Sequence, residues 1–288
     1  GIAILFLMGV GPVIAWRRAS KKNLQKNFLV PTGVGLVTAA ALWAAGARVG
    51  LSVMTFGIAT FVLWIIGVEF WKGTKARARI EGEGLLPAFY HLVARNRRRW
   101  GGYIVHVAIV VMFTAFAAAP WYEEIRQTLQ PGESATITSP LGAEYTLTYE
   151  GVSTNVRDAE ANLAWQAVAL LSASKDGEAL PPMTTEKRQY IRPQGSTSTE
   201  VAIRATLVED LYVTLADVDL NEALGNNPAG QAATFTFMVK PLVTWIWASA
   251  FVLTIGALIG MWPGGGKLPA PATTRTAVGP VEPAPAGD

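Results

Sequence analysis

Cysteine is missing from all 288 residues, and histidine occurs only twice. Without cysteine the chain forms no disulfide, no thiolate metal centre and no thioether link of its own. Charge is scarce as well: Asp, Glu, Lys and Arg make up 16% of the residues, against about 25% in ordinary soluble domains. The deficit comes from long apolar runs. It excludes a simple soluble globule and points to an integral membrane protein that carries a polar domain. No nucleophile elbow, phosphate loop or nucleic-acid motif is present, so no nucleic-acid partner is expected. The opening run "GIAILFLMGVGPVIAW" begins at Gly1 without a Met or a charged leader. It does not read as a signal peptide, and the chain is expected to be part of a longer one.

Five apolar stretches are candidate spans: Gly1 to Trp16, Pro31 to Ala47, Leu51 to Trp71, Gly101 to Pro120 and Pro241 to Trp262. Lys and Arg divide the connections between them. Arg17, Arg18, Lys21, Lys22 and Lys26 follow the first stretch, and Lys72 to Arg99 holds eight more between the third and fourth. The turn between the second and third holds only Arg48. Short basic loops stay cytoplasmic, so residues 121–240 should face outward and the C-terminus inward. Trp16, Trp71, Trp100, Trp121, Trp245 and Trp262 stand near the stretch ends, where indole rings anchor in the headgroup layer.

The outward segment alternates apolar and polar residues in runs such as "EYTLTYEGV", "LYVTLADVDL" and "ATFTFMVK". Period-two runs broken by Gly, Pro and Asp predict a small antiparallel sandwich or barrel. The expected class is an α-helical polytopic membrane protein with an inserted β-rich domain. Residues 1–120 supply four spans with basic loops, 121–240 the β-rich domain, 241–262 the last span and 263–288 a disordered Pro/Ala-rich tail. The segment Glu81 to Asn96 suits an amphipathic helix lying on the membrane surface.

His106 is the residue that most needs explaining. "RRRWGGYIVHVAIVVMF" places it in a span, two turns or less past Gly101. A polar ring in hydrocarbon needs a partner. Ile104, Val105, Val107 and Ala108 offer none, so the partner is expected from another helix or from a cofactor. Three readings stay open from the residues: an axial ligand to haem iron, a proton relay, or a packing residue bonded to a backbone carbonyl or hydroxyl. Gly101 and Gly102 would let a flat macrocycle or another helix approach. His91 reads as a solvated surface residue. Arg97, Arg98 and Arg99 read as cytoplasmic flank charges, with pairing to haem propionates as the alternative. Glu69 reads as a boundary charge, and Gly256 with Gly260 as a small-residue packing pair. Glu186, Lys187, Arg188, Glu200, Glu209 and Asp210 in the outer domain form no triad or metal pattern.

"RRRWGGYIVHVAIVVMF", "TTEKRQYIRPQGSTSTEVAIRATLVEDLYVTL" and "KPLVTWIWASAFVLTIGALIGMWP" together resemble the C-terminal half of the CcmF family. These are haem lyase subunits of bacterial cytochrome c maturation, with a nitrite-reductase-specific branch of similar appearance. The resemblance implies a multi-pass protein of the bacterial inner membrane whose residues 121–240 are periplasmic. It implies a membrane haem b held by two histidines from different spans. His106 would be one cofactor-binding and metal-binding residue, with the second ligand upstream. The implied partners are apocytochrome c, whose CxxCH thiols receive the haem, a periplasmic haem chaperone, thiol-handling maturation subunits and the lipid bilayer. The embedded haem would keep the delivered haem reduced. No catalytic residue is implied in this chain, which by itself is expected to be inactive. The alternative is a membrane scaffold or docking subunit with no haem ligand.

Overall fold

The computed structural model describes residues 1–13, 21–158, 162–193, 195–218 and 230–262. The tail expected to be disordered, together with Trp16, Arg17 and Arg18, lies outside the described residues. Among the described residues there are six α-helices: α1 (Ile2–Val13), α2 (Lys21–Ala44), α3 (Gly50–Glu81), α4 (Leu85–Arg95), α5 (Arg97–Ala118) and α6 (Thr244–Met261). Among the described residues, α2, α3, α5 and α6 are long and apolar enough to cross a membrane. The described part of the first predicted stretch is a 12-residue helix, about 18 Å long at 1.5 Å per residue. Lys21, Lys22 and Lys26, expected in a loop, stand on the first turns of α2.

α3 runs for 32 residues, roughly 48 Å, and so outlasts the hydrocarbon. Its apolar portion ends at Trp71, and the last turns, from Lys72 to Glu81, are polar. Gly82 stops it at φ 67°, a left-handed conformation that Gly adopts without Cβ strain. The chain then turns into α4, which holds exposed Leu85, Leu86, Phe89 and Tyr90. That apolar surface suits a helix lying in the headgroup layer.

α5 is held between two neighbours. Toward α3 it buries Trp100, Tyr103 and Val110 against Val62, Ile65 and Ile66. Phe70 packs on Trp100 with ring centroids 4.8 Å apart and edge-on to Tyr103 at 6.0 Å. Trp100 is therefore 4% exposed. It is a core residue of the helix pair, not the interface anchor the sequence suggested. Toward α6 the contact is backbone on backbone. A Cβ added at Gly101 would lie 2.7 Å from the Gly260 nitrogen and 2.8 Å from the Gly256 oxygen. Small residues allow this close crossing where lipid-facing helices gain little from hydrophobicity.

Between α5 and α6 the described residues form nine strands: β1 (Glu123–Leu129), β2 (Ser134–Thr138), β3 (Glu144–Asp158), β4 (Leu163–Lys175), β5 (Glu178–Tyr190), β6 (Thr197–Glu200), β7 (Ala202–Arg204), β8 (Glu209–Val218) and β9 (Ala233–Pro241). They make two antiparallel sheets, ordered β1-β9-β8-β7 and β2-β3-β4-β5-β6. The period-two pattern decides which face is buried. On β9, Ala233, Phe235, Phe237 and Val239 are buried, opposite Leu211, Val213 and Leu215 of β8. They pack on Tyr145, Leu147 and Tyr149 of β3.

The sandwich is stapled to the start of α6. Buried Asp210 accepts from the Thr206 N–H at 2.9 Å and from the Thr244 hydroxyl at 3.0 Å. Trp245 Nε1 donates to the Leu207 carbonyl at 2.6 Å, and the Leu242 N–H to the Val208 carbonyl at 3.0 Å. The carboxylate also stands at a helix N-terminus, where the helix dipole favours negative charge. Replacing Asp210 by Ala is expected to cost about 2 kcal/mol, as for a hydrogen-bonded charge. Hydrogen exchange at Thr206 and the first turn of α6 should rise. Unchanged exchange there would show that the staple holds without this carboxylate.

Candidate functional site

His106 sits halfway along α5, half-buried. Its Nδ1 lies 2.6 Å from the Gly102 carbonyl oxygen. A carbonyl only accepts, so Nδ1 carries the proton and donates it. This partner comes from the residue's own helix, one turn back, as in the reading that bonds the ring to a backbone carbonyl. Nε2 is left as the unprotonated nitrogen with its lone pair, and it has no hydrogen-bond partner among the described residues. An Nδ1–H···O=C bond of this kind orients a histidine that ligates a metal through Nε2.

The two adjacent glycines have different surroundings. Gly101 meets the α6 backbone, whereas nothing lies within 4 Å of a Cβ built on Gly102. At 100° per residue, Gly102, His106, Ile109 and Phe113 fall on one strip of α5. That strip lies away from the Gly101 edge on α6, and all four residues are half-buried. Seven residues before His106, Arg99 continues the strip two turns, or about 10 Å, toward the basic end. Arg99 Nη2 donates to Glu69 at 2.9 Å, and its guanidinium stacks on Trp100 and Tyr103 at 5.1 and 5.6 Å. Glu69, read as a boundary charge, thus fixes this arginine.

The donor set fits a haem. It offers one imidazole with a fixed tautomer and an open Gly102 flank, Ile109 and Phe113 as apolar contacts, and Arg99 at propionate range along the helix. It would supply one ligand only. His91, the other histidine, stands on half-exposed α4 with Nδ1 2.8 Å from Glu83, which also accepts from Arg77 at 3.0 Å. The bond from His91, then the Arg77 guanidinium, holds the Glu83 carboxyl below its ordinary range. The fold does not bring His91 and His106 together.

Two clefts flank α4. One, of about 610 Å³, runs between α4, α5 and α6 and is walled by Phe89, Val93, Ile104, Ile255 and Trp262, with Arg97 at its edge. The other, of about 590 Å³, opens between α3, α4 and the start of α5. His106 lines neither.

The sandwich holds a polar cluster that sequence reading missed. Glu209 is 1% exposed. Its Oε1 accepts from the Tyr145 hydroxyl at 2.9 Å and from Lys175 Nζ at 3.0 Å, while Oε2 is buried with no partner. Asp210 belongs to the α6 staple, and Glu186 pairs with Arg188 and Gln166 on the β4–β5 surface.

Residues 120–241 match the family described as the CcmF C-terminal beta-sandwich. The cytochrome c-type biogenesis protein CycK of Bradyrhizobium diazoefficiens is 24% identical over 264 residues, which cover 90% of this chain and 36% of that protein. The cytochrome c-type biogenesis protein CcmF of Escherichia coli is 25% identical over 260 residues, with coverages of 90% and 35%. A solved structure, that of cytochrome c heme lyase CcmF, matches the fold with a TM-score of 0.66 at 23% identity, over 91% of this chain and 39% of that one. The chain therefore spans little more than a third of the length of the curated relatives it matches.

Proposed function

We propose that this CcmF-like chain supplies His106 as one axial ligand to a membrane-embedded haem b, within a lyase that attaches haem to the CxxCH thiols of apocytochrome c. The observation that supports the proposal is the Nδ1–H···O=C bond to Gly102, which leaves the Nε2 lone pair available to a metal. When bound, the haem supplies reversible one-electron chemistry at iron, with a potential tuned by burial and ligand identity. The protein's own contribution is placement. The Gly102 carbonyl fixes the ring's tautomer, the Gly101 crossing fixes α5 against α6, and Arg99, steadied by Glu69, offers a guanidinium to a propionate. The second axial ligand comes from outside this chain, as does a chaperone that delivers the haem to be attached.

The distribution of Lys and Arg supports the orientation. The α3–α4–α5 end is basic, while the α2–α3 turn at the sandwich end carries Arg48 alone. By the positive-inside rule the basic end is cytoplasmic and residues 121–240 are periplasmic in a bacterial inner membrane. The sandwich would then dock apocytochrome c or a maturation partner.

A second reading has the same bond in its favour: a histidine satisfied by Gly102 needs no metal, and the chain would act as a docking scaffold. The two readings part on His106→Ala in the complete, haem-loaded protein. The first expects loss of most of the low-spin Soret absorbance and of holocytochrome c, with partial recovery on adding imidazole. An unchanged spectrum with full haem occupancy would establish the scaffold reading.

A further inference from the structure

The cleft of about 590 Å³ between α3, α4 and the start of α5 is lined by Lys72, Arg77, Arg95 and Arg99, with Glu69 and Glu81. We infer that it is a binding site for the phosphodiester of an anionic phospholipid. Four cations face two carboxylates, and Glu83 reaches Arg77 from beside the cleft, which leaves one positive charge in excess. A monoanionic phosphodiester neutralises that excess. Glu83 and Glu69 hold Arg77 and Arg99. Lys72 and Arg95 have no hydrogen-bond or ion-pair partner among the described residues. The Arg77 side chain is 18% exposed, and its Nε–H is buried with no acceptor. An unmet guanidinium donor beside a charged cleft costs free energy until an acceptor reaches it, and an anionic oxygen makes the stronger bond.

The depth of the cleft selects a lipid as the source. It opens where α3 leaves its apolar portion, next to Trp71, which is 56% exposed. One wall is α4, whose exposed Leu85, Leu86 and Phe89 place it in the headgroup layer. Leu92 and Trp100 form an apolar floor, and Gly73 leaves room for both, since a Cβ there would stand 3.0 Å from each. A phosphate with a glycerol and acyl chains matches a cationic rim over an apolar floor. Free phosphate matches the rim alone.

Native mass spectrometry of the complete detergent-solubilised protein tests this. Incubated with equal amounts of phosphatidylglycerol and phosphatidylcholine, the protein should retain phosphatidylglycerol in clear preference. Lys72→Gln with Arg95→Gln should weaken that retention by about tenfold. Lys75→Gln with Arg79→Gln removes the same charge from the same end of the molecule outside the cleft and should leave it intact. Arg99 is left untouched because it also belongs to the haem proposal, so haem content reports separately on that reading. Equal retention of the two lipids overturns the inference, as does an equal loss in both double variants. Displacement of the lipid by millimolar inorganic phosphate would overturn the lipid assignment in favour of a soluble anion.

Discussion

Replacing Gly101 by Leu is expected to separate α5 from α6 and to remove most of the folded protein from the membrane. A Cβ at this position would stand 2.7 Å from the Gly260 nitrogen, 2.8 Å from the Gly256 oxygen and 2.9 Å from the Gly260 Cα. All three are backbone atoms, so no rotamer change relieves the overlap and α6 itself must move. Overpacking of this kind costs roughly 3 kcal/mol or more. The neighbouring glycines give the prediction its internal controls. A Cβ on Gly256 meets Ile104 Cγ2 and the Val105 nitrogen at 2.9 Å, so Gly256→Ala should be clearly but less severely damaging. Nothing lies within 4 Å of a Cβ on Gly260, so Gly260→Ala should be tolerated although it belongs to the same small-residue pair. Membrane-inserted yield and cross-linking between α5 and α6 read the order. Equal effects at 101 and 260 would refute the packing described here.

The second large effect concerns the buried carboxylate of the sandwich. Lys175→Met leaves Glu209 with only the Tyr145 hydroxyl and should destabilise the sandwich by about 3 kcal/mol. This is the low end for a broken buried pair, because Lys175 is 34% exposed. Replacing Glu209 and Lys175 together by Met should recover much of that loss, since no charge is then stranded. Protection of the β3 and β8 amides in increasing urea measures both. A double variant as weak as Lys175→Met alone would contradict the account.

The same cluster sets an alkaline edge. The hydrogen bond that Lys175 gives to the Tyr145 oxygen, then the Glu209 carboxylate, raises the Lys175 ammonium above its ordinary 10.5, and burial raises the Tyr145 phenol above 10.0. Burial pushes Tyr149 up to about 12. A group that holds its proton more tightly when folded stabilises the fold fully below its unfolded pKa. That stability is lost as pH rises through the folded value. The sandwich should therefore hold its stability to about pH 10 and lose it progressively toward pH 12, with tyrosinate absorbance rising in step.

The architecture was legible because two periodicities are written plainly in the chain. Four of the long apolar runs form helices long enough to cross a membrane, and the alternation in "ATFTFMVK" presents one face to the core. Position along an axis was legible too, but the face was not. Trp100 stands at the end of its span as expected, yet Phe70 and Tyr103 close over it, and no local spacing predicts that. His106 was recognised as anomalous from its oily neighbours. A backbone carbonyl was among its open partners, but which one was not legible, because the acceptor lies one turn earlier on the same helix, at Gly102. Glu209 gave no signal at all. Its partners Tyr145 and Lys175 are 64 and 34 residues away, and only the pairing of sheets brings them together.

The staple at Asp210, Thr244 and Trp245 joins the sandwich to the first turn of α6 by side-chain hydrogen bonds. A load applied to the sandwich would pass into α6 and, through the close crossing at Gly101, reach the helix that carries His106. The sandwich and the half-buried imidazole are thus mechanically linked through two close contacts.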